Sequence, residues 1–83
     1  MQNNNYDFEN LSIGNSGIMV YILQKNLNHV GENLLEDGVF GKITDEVVKR
    51  FQSEHHLENN GIVDYKTMIE IDIEYEVQHC KAV

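Results

Sequence analysis

Histidine and cysteine are the residues of this sequence best suited to metal binding or nucleophilic chemistry. His55 and His56 are adjacent, and His79 precedes Cys80, the single cysteine. These are zinc-ligand types, but adjacent histidines at a helix end point in different directions, and no C-x-x-C or H-x₃-H spacing is present. Cys80 beside His79 is also the pairing of an activated thiol. We favour solvated side chains over zinc binding and thiol chemistry, so the sequence predicts no metal and no cofactor.

No other residues are spaced for catalysis. Ser12, Ser16 and Ser53 have loop, cap and helix contexts that explain them without a nearby base. Aspartate and glutamate are numerous, but on amphipathic helices they form ordinary solvated faces. The sequence therefore predicts that this chain is not an enzyme, and its polar residues are better considered as a binding surface.

Length and charge limit the remaining classes of function. A chain of 83 residues forms one domain, and a domain of this size buries roughly 60% of its unfolded surface. The formal net charge is −8, from 14 acidic and 6 basic residues, whereas nucleic acids and anionic lipids require clustered lysine and arginine. No apolar run approaches the roughly 20 residues of a membrane helix. The sequence thus predicts neither a nucleic-acid nor a membrane partner.

A turn followed by an amphipathic helix, residues 37–52, organises the chain. Asp37-Gly38 predicts a tight turn because glycine accepts positive φ without steric cost. Phe40 follows as a buried anchor. The next apolar residues recur at helical spacing, with charged residues between them: Val47, Val48 and Phe51. This stretch is expected to bring an aromatic side chain into the core and then to start a helix.

The same unit recurs 23 positions later, beginning at Asn60-Gly61. Asparagine replaces aspartate at the turn, as turn chemistry allows, and Asp64 stands where it would cap the following helix. The matching positions are Gly38 with Gly61, Phe40 with Val63, Thr44 with Thr67, and Val48 with Ile71. The sequence therefore predicts one turn–helix unit that is used twice.

Before the repeat, the sequence predicts a polar leader and a first helix. The leader is residues 1–10, in which Tyr6 and Phe8 alternate with polar residues as in a short extended segment. Ser16 is expected to cap a helix from about Gly17 to His29. Gly31 is expected to end that helix.

The C-terminal tail is compatible with two structures. Residues 71–77 alternate between apolar and polar as a half-buried strand would, whereas Ile69, Ile73 and Val77 recur every four as on a helix. β-branched and aromatic residues favour the strand, which would pair with the Tyr6–Phe8 segment or with another copy of the chain. The predicted division is a leader at 1–10, a domain at 11–72 and a tail at 73–83.

Together these elements predict an all-α fold, a compact three-helix bundle with two turn–helix half-repeats and short extended segments at the termini. The second and third helices are expected at about residues 42–56 and 65–72. The expected core combines apolar residues of all three helices and both turns: Val20, Leu23, Leu27, Phe40, Val47, Val48, Phe51, Leu57, Val63 and Ile71.

Three groups of residues resemble the motifs of the bacterial peptidoglycan-binding domain family, the PGBD-like three-helix module of cell-wall hydrolases and phage endolysins. Its first-helix motif resembles Leu11, Gly14, Gly17, Val20, Leu23-Gln24, Leu27-Asn28 and Gly31. Its central motif resembles Asp37 to Gly41, Thr44, Val47-Val48 and Phe51-Gln52, and its closing half-repeat resembles Leu57, Gly61, Val63-Asp64 and Thr67. The resemblance covers residues 11–72. It departs from the family where Lys42 replaces a common proline and Met68 replaces a common aromatic residue.

The resemblance implies a non-catalytic module that binds peptidoglycan, as glycan or stem peptide, and that targets or assists a wall-lytic enzyme, for which a separately encoded cell-wall hydrolase is one candidate. This polymer offers hydroxyls, amides, carboxylates and methyl groups, which suit a shallow groove with polar and aromatic side chains. The expected ligand-binding residues lie at the turns and helix starts, with an arginine for a carboxylate: Asp37, Lys42, Tyr65, Lys66 and Arg50. Gln24 and Gln52 also match family positions, but we expect them to bond the turns.

The alternative is a module recruited for protein–protein interaction or regulation, in which the acidic surface and the tail contact a protein partner or a second copy. The predicted oligomeric state is accordingly a monomer or a weak homodimer. The N-terminal residues show neither the basic region nor the apolar run of a signal peptide. We therefore expect a protein that is cytoplasmic until release, or that reaches the cell wall after lysis or by export with a partner.

Overall fold

The structure, a computed structural model, describes residues 9–80, with side chains described as far as Gln78. Three α-helices follow one another: α1 is Ile18–His29, α2 is Lys42–Glu54 and α3 is Tyr65–Cys80. Within these residues no strand forms, and extended backbone pairs through isolated bridges. The all-α three-helix fold predicted from the sequence is therefore confirmed. The expected Tyr6–Phe8 segment lies outside the described residues.

The two turns have the same backbone conformation. The φ angle is 75° at both Gly38 and Gly61, in the left-handed region that costs a residue with a side chain roughly 1–2 kcal/mol. A Cβ atom on Gly61 would also lie 2.6 Å from Asp45 Oδ1 and 2.9 Å from Lys49 Cε. The turn–helix unit is thus repeated in three dimensions as well as in sequence.

Apolar residues of both turns and all three helices form one core. Phe40 and Val63, which follow the two turns, are 1% and 0% exposed. Nine of the ten predicted core residues are buried, and Leu57 is half-buried against them. Three further residues complete the core: Leu11, Leu34 and Met68. Each fully buried side chain of this size contributes roughly 1.5–3 kcal/mol, so this core is the main source of stability.

The loop before α1, residues 11–17, joins the two turns. Leu11 exchanges two backbone hydrogen bonds with Val63, of 3.0 and 2.8 Å, at the second turn. Three more backbone bonds, each of 2.9 Å, hold the loop to the first turn: Gly14 N–H to Phe40 O, Gly17 N–H to Gly38 O, and Phe40 N–H to Asn15 O. One loop therefore fixes both turns relative to α1.

The start of α1 differs from the sequence-based expectation. Gly17, with φ 126°, precedes the first helical residue, and no side chain caps the helix. Ser16 instead forms an antiparallel bridge with Val39. The prediction that Ser16 caps α1 is therefore wrong, because pairing with the first turn holds this segment extended.

The ends of α1 and α2 use the same motif with different residues. Gly31, with φ 114°, donates its N–H to Asn28 O, and Glu32 N–H donates to Leu27 O, which together define a Schellman motif. The predicted role of Gly31 is confirmed. α2 ends with the equivalent bonds, but His56 takes the glycine position with φ 60°. The His56 backbone is strained, because the left-handed conformation crowds Cβ against the following carbonyl.

Replacing His56 with glycine is expected to raise the free energy of unfolding by about 0.5–1 kcal/mol, because the relief of strain exceeds the entropy cost of the glycine. Urea denaturation followed by circular dichroism measures the change. His56→Ala is the matched control, since it removes the imidazole and keeps the strain. An equal gain in both variants would show that the imidazole, rather than the backbone, is unfavourable.

α3 extends to Cys80, well beyond its expected end near residue 72. The prediction of extended structure over residues 71–77 is therefore wrong. The second half of α3 packs on the end of α1: Gln78 Nε2 donates to Val30 O at 3.4 Å, and the Tyr75 and His29 ring centroids are 5.2 Å apart. These contacts favour the helix indicated by the recurrence of apolar residues every four positions over the strand indicated by the apolar–polar alternation. α3 also continues without interruption across residues 72 and 73, between which the sequence places the boundary of the domain.

His55 joins the end of α2 to α3. Its ring stacks on Phe51 with centroids 3.9 Å apart, Nδ1 lies 3.0 Å from Phe51 O, and Nε2 lies 3.3 Å from Glu74 Oε1. Hydrogen bonds from Gln78 and then from His55 lower the pKa of Glu74 below its usual value. The ionised Glu74 carboxylate therefore stabilises the contact between the two helices.

Glu74→Gln is expected to lower the free energy of unfolding by about 0.5 kcal/mol at neutral pH, since partly exposed ionic contacts contribute little. The folded-state pKa lies below the unfolded-state pKa, so this stabilisation is present above the unfolded pKa and is lost as the pH falls through the folded one. The melting temperatures of the two proteins should converge only as the pH falls below the usual glutamate pKa and through the lower folded-state pKa. A difference that stays constant with pH would show that the carboxylate charge is not responsible.

Candidate binding site

A buried glutamine holds the first turn. Gln24, on α1, is 1% exposed, and its Oε1 accepts the Gly38 N–H at 2.9 Å. Its Nε2 faces three oxygens: Val39 O at 3.0 Å, Thr44 Oγ1 at 3.1 Å and Asp37 Oδ1 at 3.2 Å. One side chain thus satisfies the backbone of the turn and connects it to both α1 and α2.

Gln52, on α2, does the same for the second turn. It is also 1% exposed, and its Oε1 accepts the Gly61 N–H at 2.9 Å. Its Nε2 faces Ile62 O at 3.0 Å, with Asn60 Oδ1 and Thr67 Oγ1 each at 3.3 Å. The structural role predicted for the two glutamines is confirmed. The surfaces beside the two turns are therefore built on equivalent hydrogen-bond networks.

Asp37, the first candidate ligand-binding residue, belongs to the network of the first turn. Its Oδ1 accepts the Val39 N–H at 3.0 Å in addition to the Gln24 bond. These bonds, first that from Val39 and then that from Gln24, favour the charged form and lower the pKa of Asp37. Asp37 is therefore an ionised carboxylate at neutral pH, and its orientation is fixed by the turn.

A shallow groove of about 240 Å³ lies beside the first turn, and we call it the Lys42 groove. Its lining comes from α1, the turn and the start of α2: Gln24, Leu34, Leu35, Asp37, Val39, Gly41, Lys42, Ile43 and Thr44. Three of these apolar side chains are largely exposed, with Leu35 at 77%, Ile43 at 62% and Val39 at 52%. The groove thus combines a lysine, an oriented carboxylate and an apolar surface.

A second groove, of about 140 Å³, lies beside the second turn, and we call it the Lys66 groove. It is lined by Gln52, His56, Leu57, Glu58, Asn60, Asp64, Lys66 and Thr67. Asp64 accepts the Thr67 N–H at 2.9 Å and so caps α3, as the sequence predicts. This groove is smaller than the first. It is also more polar, because its lining includes Glu58 and Asp64 in addition to Lys66.

The structure divides the five candidate residues instead of bringing them together. Asp37 and Lys42 share the first groove, and Lys66 lies in the second. Tyr65 is half exposed at the start of α3. Arg50 forms an ion pair with Glu32 and lines neither groove. The binding role of all five remains a prediction.

The exposed apolar residues of the Lys42 groove are absent from the sequence-based candidates. Ile43 precedes the buried stripe of α2, and Leu35 lies in the connection before the turn. A signal for Ile43 does exist in the sequence, because an apolar residue outside the helical stripe of an amphipathic helix has no place in the core. Leu35 has no such signal, since either of the adjacent residues Leu34 and Leu35 could fill the core.

Two other kinds of site are not found among residues 9–80. Among the residues whose side chains are described, 9–78, no group of three or more histidine, cysteine, aspartate or glutamate residues is arranged to hold a metal ion. None of the helices described is long and apolar enough to cross a membrane.

The fold and these grooves define a small all-α domain of two turn–helix units, each held by a buried glutamine and each bordered by a shallow groove. Over residues 16–70 the sequence matches the peptidoglycan binding domain family. This chain belongs to that family. The match spans α1, α2, both turns and the first part of α3, so it includes every residue of the two glutamine networks.

Solved structures support the same family. A fused zinc-dependent amidase/peptidase/peptidoglycan-binding protein from Clostridium acetobutylicum is 34% identical, with a TM-score of 0.75 over 77% of this chain and 29% of that protein. The endolysin of Burkholderia phage AP3 is 32% identical, with a TM-score of 0.75 over 78% of this chain and 25% of that protein. The SleB N-terminal domain is 28% identical, with a TM-score of 0.79 over 84% of this chain and 97% of that domain.

The likeness to the two larger proteins is confined to one domain, since this chain spans about a quarter of the endolysin and under a third of the amidase/peptidase. The comparison with curated proteins gave no significant match. The family is therefore defined by the sequence match and by the solved domains.

Proposed function

We propose that this domain binds bacterial cell-wall peptidoglycan through the Lys42 groove. The observation that carries this proposal is the composition of one surface, where Lys42 and the oriented carboxylate of Asp37 line the same groove as three exposed apolar side chains. Membership of the peptidoglycan binding domain family supports the choice of ligand.

Each part of the groove suits a group that peptidoglycan offers. Lys42 can form a charge-assisted hydrogen bond with a stem-peptide carboxylate. Asp37 can accept hydrogen bonds from amide N–H or hydroxyl groups of the polymer. The methyl groups of N-acetyl and alanyl units can pack on Leu35, Val39 and Ile43.

The three other grooves suit this ligand less well. One, of about 410 Å³, lies between the start of α1 and the first turn, and Glu36 and Asp37 are the only charged residues among the described residues that line it. A groove of about 400 Å³ lies between residues 9–16 and the start of α1, but Glu9 is the only charged residue among the described residues that line it. It therefore offers no cation to a stem-peptide carboxylate. In the Lys66 groove, Glu58 and Asp64 oppose such a carboxylate by like-charge repulsion.

The biological role that we propose is targeting. A non-catalytic wall-binding domain raises the local concentration of an enzyme on its insoluble substrate, and the binding domain itself needs no catalytic group. Two of the larger related proteins are an amidase/peptidase and an endolysin. We accordingly propose a wall-lytic enzyme as the functional partner of this domain, with the cell wall as its place of action.

Co-sedimentation with purified sacculi tests the proposed site. Wild-type protein should be retained in the pellet, and Lys42→Gln should weaken retention about tenfold, as expected for the loss of a hydrogen bond to a charged group. Lys25→Gln is the matched control, because Lys25 is an exposed lysine on α1 that lines neither groove. It should leave retention unchanged.

Asp37→Asn separates the charge of Asp37 from its structural role, because Asn60 makes the same turn contacts in the second unit. The variant should keep the wild-type melting temperature and lose part of its retention. Equal retention of the Lys42 and Lys25 variants would contradict the Lys42 groove as the site. Failure of wild-type protein to sediment would contradict peptidoglycan binding itself.

A further inference from the structure

α3 is apolar on the side that faces away from the core. Its buried side carries Thr67, Met68 and Ile71. On the opposite side, Ile69, Ile73 and Val77 recur every four residues and are 37%, 50% and 58% exposed. We call these three residues the α3 stripe. None of them lines either groove.

Acidic residues border the α3 stripe. Glu70, Asp72 and Glu76 alternate with the apolar residues, whereas Lys66 is the only lysine or arginine of this helix. Asp72 and Glu76 lie one helical turn apart, so they meet as like charges. Partial burial and then the charge of Glu76 raise the pKa of Asp72. A cation placed beside this pair would relieve the repulsion.

We propose that the α3 stripe is a docking surface for a cationic amphipathic helix of a partner protein. The apolar side of such a helix would cover Ile69, Ile73 and Val77, and its lysine or arginine side chains would meet the bordering carboxylates. This surface is separate from the Lys42 groove, so docking and wall binding can occur at the same time.

The charges of the stripe argue for this occupant over the alternatives. In a second copy of the chain the same carboxylates would face one another, and like charges in contact are unfavourable. An anionic lipid surface would be repelled for the same reason. A partner helix with basic residues on both sides of an apolar ridge matches the stripe in the spacing of its apolar residues and in the sign of its charge.

Binding of a designed peptide tests the proposal directly. The probe is a labelled leucine–lysine amphipathic helix of about five turns, or roughly 18 residues, and fluorescence anisotropy with the full chain measures its affinity. A scrambled peptide of the same composition lacks the apolar face, and it should bind at least about tenfold more weakly, a difference of 1.4 kcal/mol.

Two pairs of variants locate the site. Ile73→Gln should weaken binding about tenfold, whereas Ile13→Gln, which replaces a similarly exposed isoleucine in the loop before α1, should not. Asp72→Asn should weaken binding and reduce its dependence on salt, whereas Glu46→Gln, an exposed acidic position on α2, should leave both unchanged. Ile73→Gln and Asp72→Asn should both melt near the wild-type temperature, because neither side chain belongs to the core.

Three results would overturn the proposal. Equal binding of the scrambled peptide, or equal losses in Ile73→Gln and Ile13→Gln, would mean that the acidic surface attracts cations without a defined site. The free chain could also form a dimer in sedimentation velocity that Ile73→Gln dissociates, and the occupant would then be a second copy.

Sacculus retention of Ile73→Gln should equal that of wild type, so this test is independent of the wall-binding proposal.

Discussion

Phe40→Ala should lower the melting temperature of this protein by at least about 10 °C. Phe40 is 1% exposed at the centre of a core shared by both turn–helix units, and truncation of a buried phenylalanine to alanine costs about 3–5 kcal/mol. A domain of 83 residues has a total stability of roughly 4–12 kcal/mol at 0.05–0.15 kcal/mol per residue. The expected loss is therefore a large part of the free energy of unfolding. It exceeds that free energy if the wild-type protein lies at the low end of the range.

Thermal melts followed by circular dichroism measure this effect. Val39→Ala is the matched control, since Val39 is the neighbouring residue in the same turn and is 52% exposed. Its melting temperature should stay close to that of wild type. If Phe40→Ala also melts within a degree or two of wild type, the core does not depend on the residue that follows the first turn.

Gln24→Ala is expected to cost about 3 kcal/mol, the second largest effect. The change leaves the buried Gly38 N–H without its acceptor and removes a donor from three oxygens. An unsatisfied buried polar group alone costs about 1–3 kcal/mol, and the cavity adds to it. Because Gln52 makes the equivalent bonds at the second turn, Gln52→Ala should cost a similar amount.

Urea denaturation gives the free energy of unfolding for these variants, with Lys25→Ala as a neighbouring exposed control. Gln24→Glu provides a stricter test. At neutral pH the introduced carboxylate would still accept the Gly38 N–H but would repel the Asp37 carboxylate. Gln24→Glu should therefore lower the free energy of unfolding as much as Gln24→Ala. At acid pH the introduced carboxyl group is protonated and regains a donor, so part of the stability should return. A small effect of Gln24→Ala would mean that water or a backbone shift replaces the glutamine.

The two turns and the core could be predicted because their determinants are local. Gly38 and Gly61 sit in turns that require positive φ, and Phe40 and Val63, each two residues later, are the last large apolar residues before α2 and α3. The 23-residue repeat then fixes where the second unit lies. The role of Gln24 and Gln52 followed from the same reasoning, since each polar side chain comes directly after a core residue.

The candidate site was only partly predictable. Lys42 and Asp37 were identified because turns and helix starts face solvent, and the structure places both in one groove. The charge of Arg50 indicates a binding role, but its ion pair with Glu32 depends on the position of the loop after α1 relative to α2. The exposure of Leu35 beside the buried Leu34 likewise depends on the path of that loop.

The sequence by itself determined the two turns, the three helix starts and the apolar residues of the core, because the conformational preferences of glycine and the helical spacing of apolar residues act over a few neighbours. Only the tertiary structure decided where α3 ends and how the start of α1 is held. Residues 71–77 fit a strand or a helix by pattern, and contacts with α1 through Tyr75 and Gln78 stabilise the helix. Ser16 had the chemistry of a cap, but backbone pairing with Val39 places it in an extended segment. In both places the local preferences were nearly balanced, so contacts between residues distant in sequence selected the structure.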